Sequence, residues 1–450
     1  MLGEYRISGR RAAEISASVE RGVAAGALEP GQLLPAMREL AAELGVNPNT
    51  VASAYRTLRE RGVIETAGRR GSRVRARPVS TARDSIRVDV PAGVRDLSLG
   101  NPDVSLLPSL RDALVWAAER ADERPGLYGE DAVDPELARL ARAEFDAGGV
   151  PGGPVAVASG SLDAIERVLA VHLKPGDPVA VEDPGWGAML DLVPALGLRT
   201  VPVAVDDDGP LPHEVERALR DGARALVVTA RAQNPTGAAV GSDRARELRA
   251  VLAAYPTVLV VEDDHGHGIV DLPVHPVVGG RARGGPWVFV RSVSKGYGPD
   301  LRVAVMTGDA ETVDRVRGRQ RLGPGWVSLL LQRAVVRLWR TGAVDTEAVA
   351  RSYGKRRDAL IAALAERGIT AHGRSGMNVW VPVGDETGVV ARMLHAGWAV
   401  APGARFRVGA GRQGVRVTVS GLGADAGDIV RVAGAVEAAV GPGVGGRRYE

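Results

Sequence analysis

The 450-residue chain contains no cysteine. Disulfides, cysteine-ligated zinc and iron–sulfur clusters are therefore excluded, and a reducing, cytosolic setting fits. Apolar runs are short, and none approaches the ~18 residues that read as a membrane span. The first residues carry Glu4, Arg6, Arg10 and Arg11 and lack the apolar core of a secretion signal. Neither sign of charge dominates: 57 basic residues face 54 acidic ones, a net of +3. The surplus is uneven. Residues 1–76 hold twelve arginines against eight glutamates, a net of +4, which leaves −1 for the rest. A small anion-binding module on a nearly neutral body accounts for this, and so does a solvated helical face. Lysine is scarce, with only Lys174, Lys295 and Lys355. Arginine fills nearly every other basic position, so composition does not explain Lys295. A lysine amine can lose its proton and form a Schiff base, which arginine cannot. Lys295 follows the apolar run Trp287–Val290 and is expected at the end of a buried strand.

What is present divides the chain in two. The length allows roughly two to four domains. Near the start, Ile15, Val19 and Val23 recur every four residues, the mark of one helix face. Residues Pro35–Leu44 read as a second, short helix, and Gly45-Val46 as a tight turn. Asn47 suits an N-cap and Pro48 the first helical position of a third helix that runs to about Arg61. Two short helices across a glycine turn form a helix-turn-helix pattern. Val63–Thr66 and Ser72–Arg75 then read as two strands around a basic tip, Gly68-Arg69-Arg70-Gly71. Val51, Tyr55 and Leu58 are expected in the core of this module.

The ordered series Leu28-x-Pro30-Gly31, Leu34-Pro35-x-x-Arg38-Glu39-Leu40-Ala41, Leu44-Gly45-Val46-Asn47-x-Asn49-Thr50-Val51 and Leu58-x-x-x-Gly62-Val63-Ile64 resembles the winged-helix domain of GntR-type bacterial regulators. The resemblance implies that the third helix enters the DNA major groove, with Asn47, Asn49, Thr50 and Ser53 toward base edges. Arg38 and the wing residues Arg69, Arg70 and Gly71 would hold DNA, mainly through phosphate. Related regulators often carry arginine where Pro48 and Ala52 stand here, so direct guanine readout by this helix is expected to be weak.

Residues 77–94, with Pro78 and Pro91, lack periodicity and read as a linker. From 95 to 440 short apolar runs alternate with helical stretches: Val155–Ala158, Val179–Val181, Ala225–Val228, Val258–Glu262, Val288–Val290 and Val303–Met306. That alternation predicts an α/β domain on a mostly parallel sheet. Long helices are expected over about 310–366, followed by a smaller α/β part with apolar runs near 377–382, 398–401 and 415–419. Residues 441–450 read as a flexible tail.

Chemistry-bearing residues gather where strands end. Ser159-Gly160-Ser161-Leu162-Asp163 follows a strand and opens a helix, so backbone N–H groups there can approach a phosphate. Asn234-Pro235-Thr236-Gly237 follows another strand and by itself is compatible with a plain turn. Glu262-Asp263-Asp264-His265 closes a very apolar run. Its carboxylates ask for a charged partner such as a protonated ring nitrogen, or with His267 they form a metal site. Trp186 is either core or a ring-stacking platform. The other histidines (His172, His213, His275, His372 and His395) form no constellation.

In this order and spacing, those motifs, with Ser292-x-Ser294-Lys295…Arg302 and Val415-Arg416-Val417, resemble the fold-type I aminotransferases that use pyridoxal phosphate. The resemblance spans about 350 residues from Leu99-Gly100-Asn101-Pro102. It implies that Lys295 forms the internal aldimine and that Asp263 pairs with the pyridinium nitrogen. It places Asn234 on the ring hydroxyl oxygen and Trp186 on the ring face. Gly160, Ser161, Ser292 and Arg302 would hold the phosphate, with Leu162 among the cofactor contacts. Arg416, helped by the backbone of Gly100, would grip a carboxylate. Tyr128 would reach the cofactor phosphate of a neighbouring subunit in a dimer. His265 stands where relatives usually have tyrosine, as a second donor to the ring oxygen. The motif makes a metal unnecessary, and no metal is expected.

The two resemblances together are the architecture of the MocR subfamily of GntR regulators. They imply a transcription factor that binds operator DNA, holds pyridoxal phosphate on Lys295, and senses an amino compound or the cofactor itself. A working aminotransferase with an appended DNA module is the alternative.

Overall fold

The computed structural model describes residues 5–24, 27–29, 31–60, 63–66, 71–74, 83, 89–408, 413–423 and 426–441. Arg69, Arg70, most of the expected linker and nearly all of the expected tail lie outside them. The chain divides into two compact units, one built on residues 1–82 with the short stretches 174–178 and 193–199, the other on the remainder.

In the first unit, helices α1 (Ala12–Ala24), α2 (Met37–Leu44) and α3 (Pro48–Glu60) are followed by the antiparallel pair β1 (Ile64–Thr66) and β2 (Ser72–Val74). Helix α2 starts two residues later than its apolar pattern suggests. Ala36 is extended at the N-cap, ψ 144°, and the Glu39 carboxylate accepts from its N–H, which fixes the start one residue later. Gly45 ends it in the left-handed conformation, φ 64°, which a side chain would disfavour. The Asn47 carboxamide accepts from Asn49 N–H at 2.8 Å, capping α3. Ile15, Val19, Leu40, Val51, Tyr55, Leu58 and Ile64 are buried together.

The second unit opens with β3 (Arg95–Asp96). Its eight-stranded sheet uses β4 (Val155–Ala158), β5 (Pro178–Asp183), β6 (Arg199–Asp206), β7 (Gly209–Pro210), β8 (Ala225–Thr229), β9 (Leu259–Asp264), β10 (Trp287–Ser292) and β11 (Ala304–Gly308) in the order β4-β11-β10-β9-β8-β5-β6-β7. Strands β5, β8, β9 and β10 run parallel, while β11 is antiparallel to both β10 and β4. The sheet is thus mixed α/β and mostly parallel in its centre. Val157, Val228, Val260, Phe289 and Val305 lie in one buried cluster. The parallel strands are apolar on both faces because helices cover both. Strand β6 was not legible, since its Thr-Val-Pro-Val-Ala-Val alternation carries a proline, which demotes a strand to an edge position.

The smaller part holds a sheet of β12 (Asn378–Pro382), β14 (Ala401–Pro402) and β15 (Gly414–Thr418), with β13 (Trp398–Ala399) between them in the chain. Strand β13 pairs in parallel with β3, so the segment Leu97–Gly100 is delivered to the smaller part. Tyr353, Leu360, Val379, Val417 and Val432 form its core. Among the described residues no helix is long and apolar enough to cross a membrane.

Candidate functional site

The carboxyl ends of β5, β8, β9 and β10 lie side by side, and each feeds a loop into one crevice. After β5 comes Trp186, after β8 Ala232 and Asn234, after β9 His265, and after β10 Lys295. Lys295 stands three residues beyond the strand, on the single helical turn Ser294–Tyr297, so it sits past the strand end where the sequence placed it. Its Nζ donates to the carbonyl of Gly100 at 2.7 Å. Burial, with the nearby Arg416 charge, pulls the amine down to about 8 from its ordinary 10.5.

Asp263 is buried, and its two oxygens have separate partners. Ser161 Oγ donates to Oδ1 at 2.7 Å, and His265 Nδ1 lies 2.8 Å from Oδ2. The Ser161 hydroxyl therefore faces the carboxylate, which leaves its backbone to open the helix Ser161–His172. The other nitrogen of His265, Nε2, lies 2.9 Å from the carbonyl oxygen of Ala232. A carboxylate and a carbonyl both only accept, so both ring nitrogens must carry hydrogen and His265 is an imidazolium. Burial opposes that charge, but the Asp263 carboxylate outweighs it and raises the histidine above its ordinary value. Both donors are engaged within the protein, so the ring makes no free donor for a cofactor oxygen. Trp186 lies beside it, ring centroids 6.3 Å apart.

The acidic run is sorted by strand alternation. Asp263 faces the crevice, whereas Glu262 and Asp264 point to the opposite face of β9. Asp264 takes a two-pronged ion pair from Arg231 (2.9 Å on each oxygen) and a bond from Arg291 Nε at 3.0 Å. Burial alone would raise its pKa, but the two guanidiniums prevail and hold it below the ordinary value. Burial pushes Glu262 up to about 8. His267, half-buried, is lowered to about 3, first by desolvation and then by Arg291. Among the described residues no cluster suits a metal ion.

Gly160 caps the helix Ser161–His172 with φ 97°, and a Cβ there would collide with the Arg302 guanidinium. Arg302 itself adopts φ 48°, rare for a residue with a side chain, and its Nη2 donates to Ser159 O at 2.7 Å. Held strain of this kind clusters at functional sites. Ser292 is buried beside this turn, its Oγ accepting from Ser294 N–H at 3.2 Å, and Leu162 is half-buried at the start of the helix. On the opposite wall Arg416 Nη1 donates to Asn234 Oδ1 at 3.0 Å, and its Nη2 donates to the Ser98 carbonyl. A Cβ on Gly100, φ 69°, would approach that guanidinium to 3.2 Å, so only glycine lets arginine and backbone close up. The cavity that Gly100, Trp186, Asn234, His265, Lys295 and Arg416 line holds about 160 Å³, room for a small molecule. Tyr128 stands apart from it, 93% exposed and edge-on to Trp326 at 5.5 Å.

Two residues of this region escaped the sequence reading. Arg405 lines the cavity from the turn Gly403–Phe406; a lone arginine inside the apolar stretch Ala399–Phe406 was the available signal. Glu182, pushed up by burial to about 7, accepts from Thr229 N–H, Thr229 Oγ1 and Gln233 Nε2 behind the crevice. It carried no signal beyond its place at a strand end.

On the first unit, Arg38, Asn47, Asn49 and Ser53 are exposed and Thr50 half-buried, while Val51, Ala54, Tyr55 and Leu58 of the same helix face inward. The start of α3 thus offers short polar side chains to solvent. Gly71 is exposed with φ 93°.

Residues 92–430 match the family of class I and II aminotransferases, and residues 11–74 match the gntR family of bacterial regulatory proteins. The chain is 39% identical over 424 residues to the vitamin B6 salvage pathway transcriptional repressor PtsJ of Salmonella typhimurium, across 92% of this chain and 96% of that protein. It is 27% identical over 373 residues to the probable rhizopine catabolism regulatory protein MocR of Rhizobium meliloti, across 76% and 74%. Its fold is similar to that of LysN, the alpha-aminoadipate aminotransferase of Thermus thermophilus, solved with N-(5'-phosphopyridoxyl)-L-leucine (TM-score 0.67, 24% identity, 80% of this chain and 95% of that one). The residues present fit a pyridoxal phosphate group. A half-buried amine of lowered pKa, a buried carboxylate and a glycine-lined helix start next to an arginine match its aldehyde, ring nitrogen and phosphate.

Proposed function

Because the chain belongs to the class I and II aminotransferase family and carries a gntR-family module, the make-up of the MocR subfamily, we propose that it is a DNA-binding regulator that senses an amine, or the cofactor itself, at a pyridoxal phosphate site. The single observation that carries this reading is Lys295, half-buried, lowered to about 8, and lining a cavity with Asn234, His265 and Arg416, with Asp263 held 2.8 Å behind His265. When bound, pyridoxal phosphate supplies an aldehyde that condenses with amines and a chromophore that reports on it. Lys295 is the amine that would take it. Asp263 would pair with the ring nitrogen and hold a proton there, Trp186 would cover the ring, and Asn234 would meet its hydroxyl. Gly160, Ser161, Leu162, Ser292 and Arg302 would hold the phosphate.

Arg416 receives the carboxylate of an incoming amine, with the Gly100 backbone beside it. His265 departs from the tyrosine of relatives. As an imidazolium bound to Asp263 and Ala232 it orients the carboxylate rather than donating to the ring oxygen. Arg38, Asn47, Asn49, Thr50, Ser53 and Gly71 face DNA, along with Arg69 and Arg70. Such a protein works in the cytoplasm, as a homodimer on two half-sites. The exposed apolar side chains of Leu127, Tyr128 and Leu322 suit a dimer contact, from which Tyr128 would reach toward the cofactor phosphate of the partner subunit.

The test is a DNA-binding measurement on the full chain with and without pyridoxal phosphate, coupled to borohydride trapping. We expect a yellow protein, cofactor fixed on Lys295, and operator affinity that shifts ~5–150-fold with the cofactor or an amine. A Lys295→Ala protein with an unchanged visible spectrum, or DNA affinity indifferent to every amine and to the cofactor, would sink this reading. Sustained turnover of amino acids would favour an enzyme instead.

A further inference from the structure

Two residues that line the cavity with Lys295, Trp186 and Asn234, stand on different loops, one after β5 and the other after β8. Behind them, one buried side chain joins the two loops. Gln233 is 1% exposed. Its Nε2 donates to Glu182 Oε2 at 3.1 Å and to the Pro184 carbonyl at 2.8 Å, at the end of β5 and on the Trp186 loop. Its Oε1 accepts from Thr236 N–H at 3.0 Å and from Thr236 Oγ1 at 2.6 Å, on the Asn234 loop. A carboxamide has two donor hydrogens and an oxygen that accepts twice, so every position is used. The partners also fix which end is which, because the Pro184 carbonyl only accepts and the Thr236 N–H only donates. Glu182 is braced in turn against β8, where it accepts from Thr229 N–H at 2.9 Å and Thr229 Oγ1 at 2.8 Å. Neither Gln233 nor Glu182 is among the residues that line the cavity.

We propose that Gln233, braced by Glu182, is a positioning residue that holds Trp186 and Asn234 in a fixed relation, so that a bound ring meets its stacking face and its oxygen partner together. This rests on the proposed reading of the cavity as a pyridoxal phosphate site. A fully satisfied buried polar network is rigid, and the two side chains follow the loops it ties. Pro184 lies two residues before Trp186, and Gln233 directly precedes Asn234. Asn234 Oδ1 takes a bond from Arg416, so what Asn234 offers a ring oxygen is its amide N–H. A donor at that oxygen favours its charged form, and moving the donor away makes the oxygen keep its proton more tightly. Other side chains at 233 do not reproduce the bridge. Glutamate lacks both donors and sets a second carboxylate against Glu182, asparagine is one methylene too short, and methionine fills similar space without hydrogen bonds.

The test uses the full-length protein loaded with pyridoxal phosphate and reads the pH midpoint of its visible absorbance, with circular dichroism to confirm folding. In Gln233→Met we expect the midpoint to rise by about 0.5–1 unit and the cofactor to leave roughly 3–10-fold faster. Glu182→Gln should move the midpoint the same way. Thr229 N–H keeps the oxygen of the new amide, so its nitrogen is turned toward Gln233 Nε2, donor against donor. The double variant Glu182→Gln/Gln233→Glu restores a donor–acceptor pair with its direction reversed and should bring the midpoint back toward that of the parent. A merely structural role would lower Tm and leave the midpoint where it was. An unchanged midpoint in folded, yellow Gln233→Met and Glu182→Gln proteins would overturn the inference. Should Gln233→Met fail to fold, Glu182→Gln and the double variant decide it. An unmodified protein that stays colourless with the cofactor would refute the proposed function itself, and this inference with it.

Discussion

At the scale of the residue, burial changes what a side chain can do. A solvent-exposed lysine titrates near 10.5 and is almost wholly charged at neutral pH. Lys295 is brought to about 8, first by burial and then by the charge of Arg416. Condensation with an aldehyde needs the free amine, so cofactor uptake by the apo-protein should quicken with pH up to about 8 and then level off. Stopped-flow absorbance measures this, and a rate that still climbs toward pH 10 would contradict it. The same shift bears on stability. The folded state disfavours the protonated amine, so the penalty is full below pH 8, shrinks between 8 and 10.5, and is absent above. Lys295→Met should therefore stabilise the apo-protein at pH 7 by on the order of 2 kcal/mol, with the gain fading as pH rises through that window. Thermal unfolding across pH reads it out. That a lysine mattered here was legible, because lysines are rare in the chain. Its lowered pKa was not, because Arg416 lies far away in sequence.

At the scale of the element, β9 shows what alternation does to a run of acids. Glu262, Asp263 and Asp264 are one cluster in the sequence and two sites in the fold. Asp263 faces the crevice, while Asp264 compensates the buried Arg231 and Arg291. Such a triad is not a large net gain over an apolar core, but removing one partner leaves uncompensated charge. Asp264→Asn should thus cost about 3–5 kcal/mol of the second unit's stability, measured by urea unfolding. A loss under about 1 kcal/mol would mean that water already serves the two guanidiniums. Asp264 has both oxygens on guanidiniums and serves as their ion-pair partner. Helix α3 was readable to its first residue because Asn47 and Pro48 act locally. The start of α2 and strand β6 were not, because a capping glutamate decided the one and pairing with β5 and β7 the other.

At the scale of the whole molecule, two units with separate cores share one chain. Their tasks differ: one presents exposed polar side chains at the start of α3, the other encloses a cavity between strand ends. Saturating pyridoxal phosphate at about 100 times its Kd should add roughly 2.7 kcal/mol to the stability of the unit that binds it, read as a raised calorimetric transition. A transition that does not move with the cofactor would contradict binding to the native second unit.

Local rules were enough for much of this protein. Periodicity, caps and turn residues lie within a few positions of one another, so the three-helix module, the α/β alternation and the strand-end motifs followed from the sequence alone. Contacts between distant segments were decided only by the tertiary structure. The imidazolium state of His265 depends on Asp263 and on Ala232, 33 residues away. The convergence of Arg405 and Arg416 depends on Ser98, delivered by the pairing of β3 with β13. Protonation and charge are set by what packs around a group, and no spacing in the chain encodes that directly.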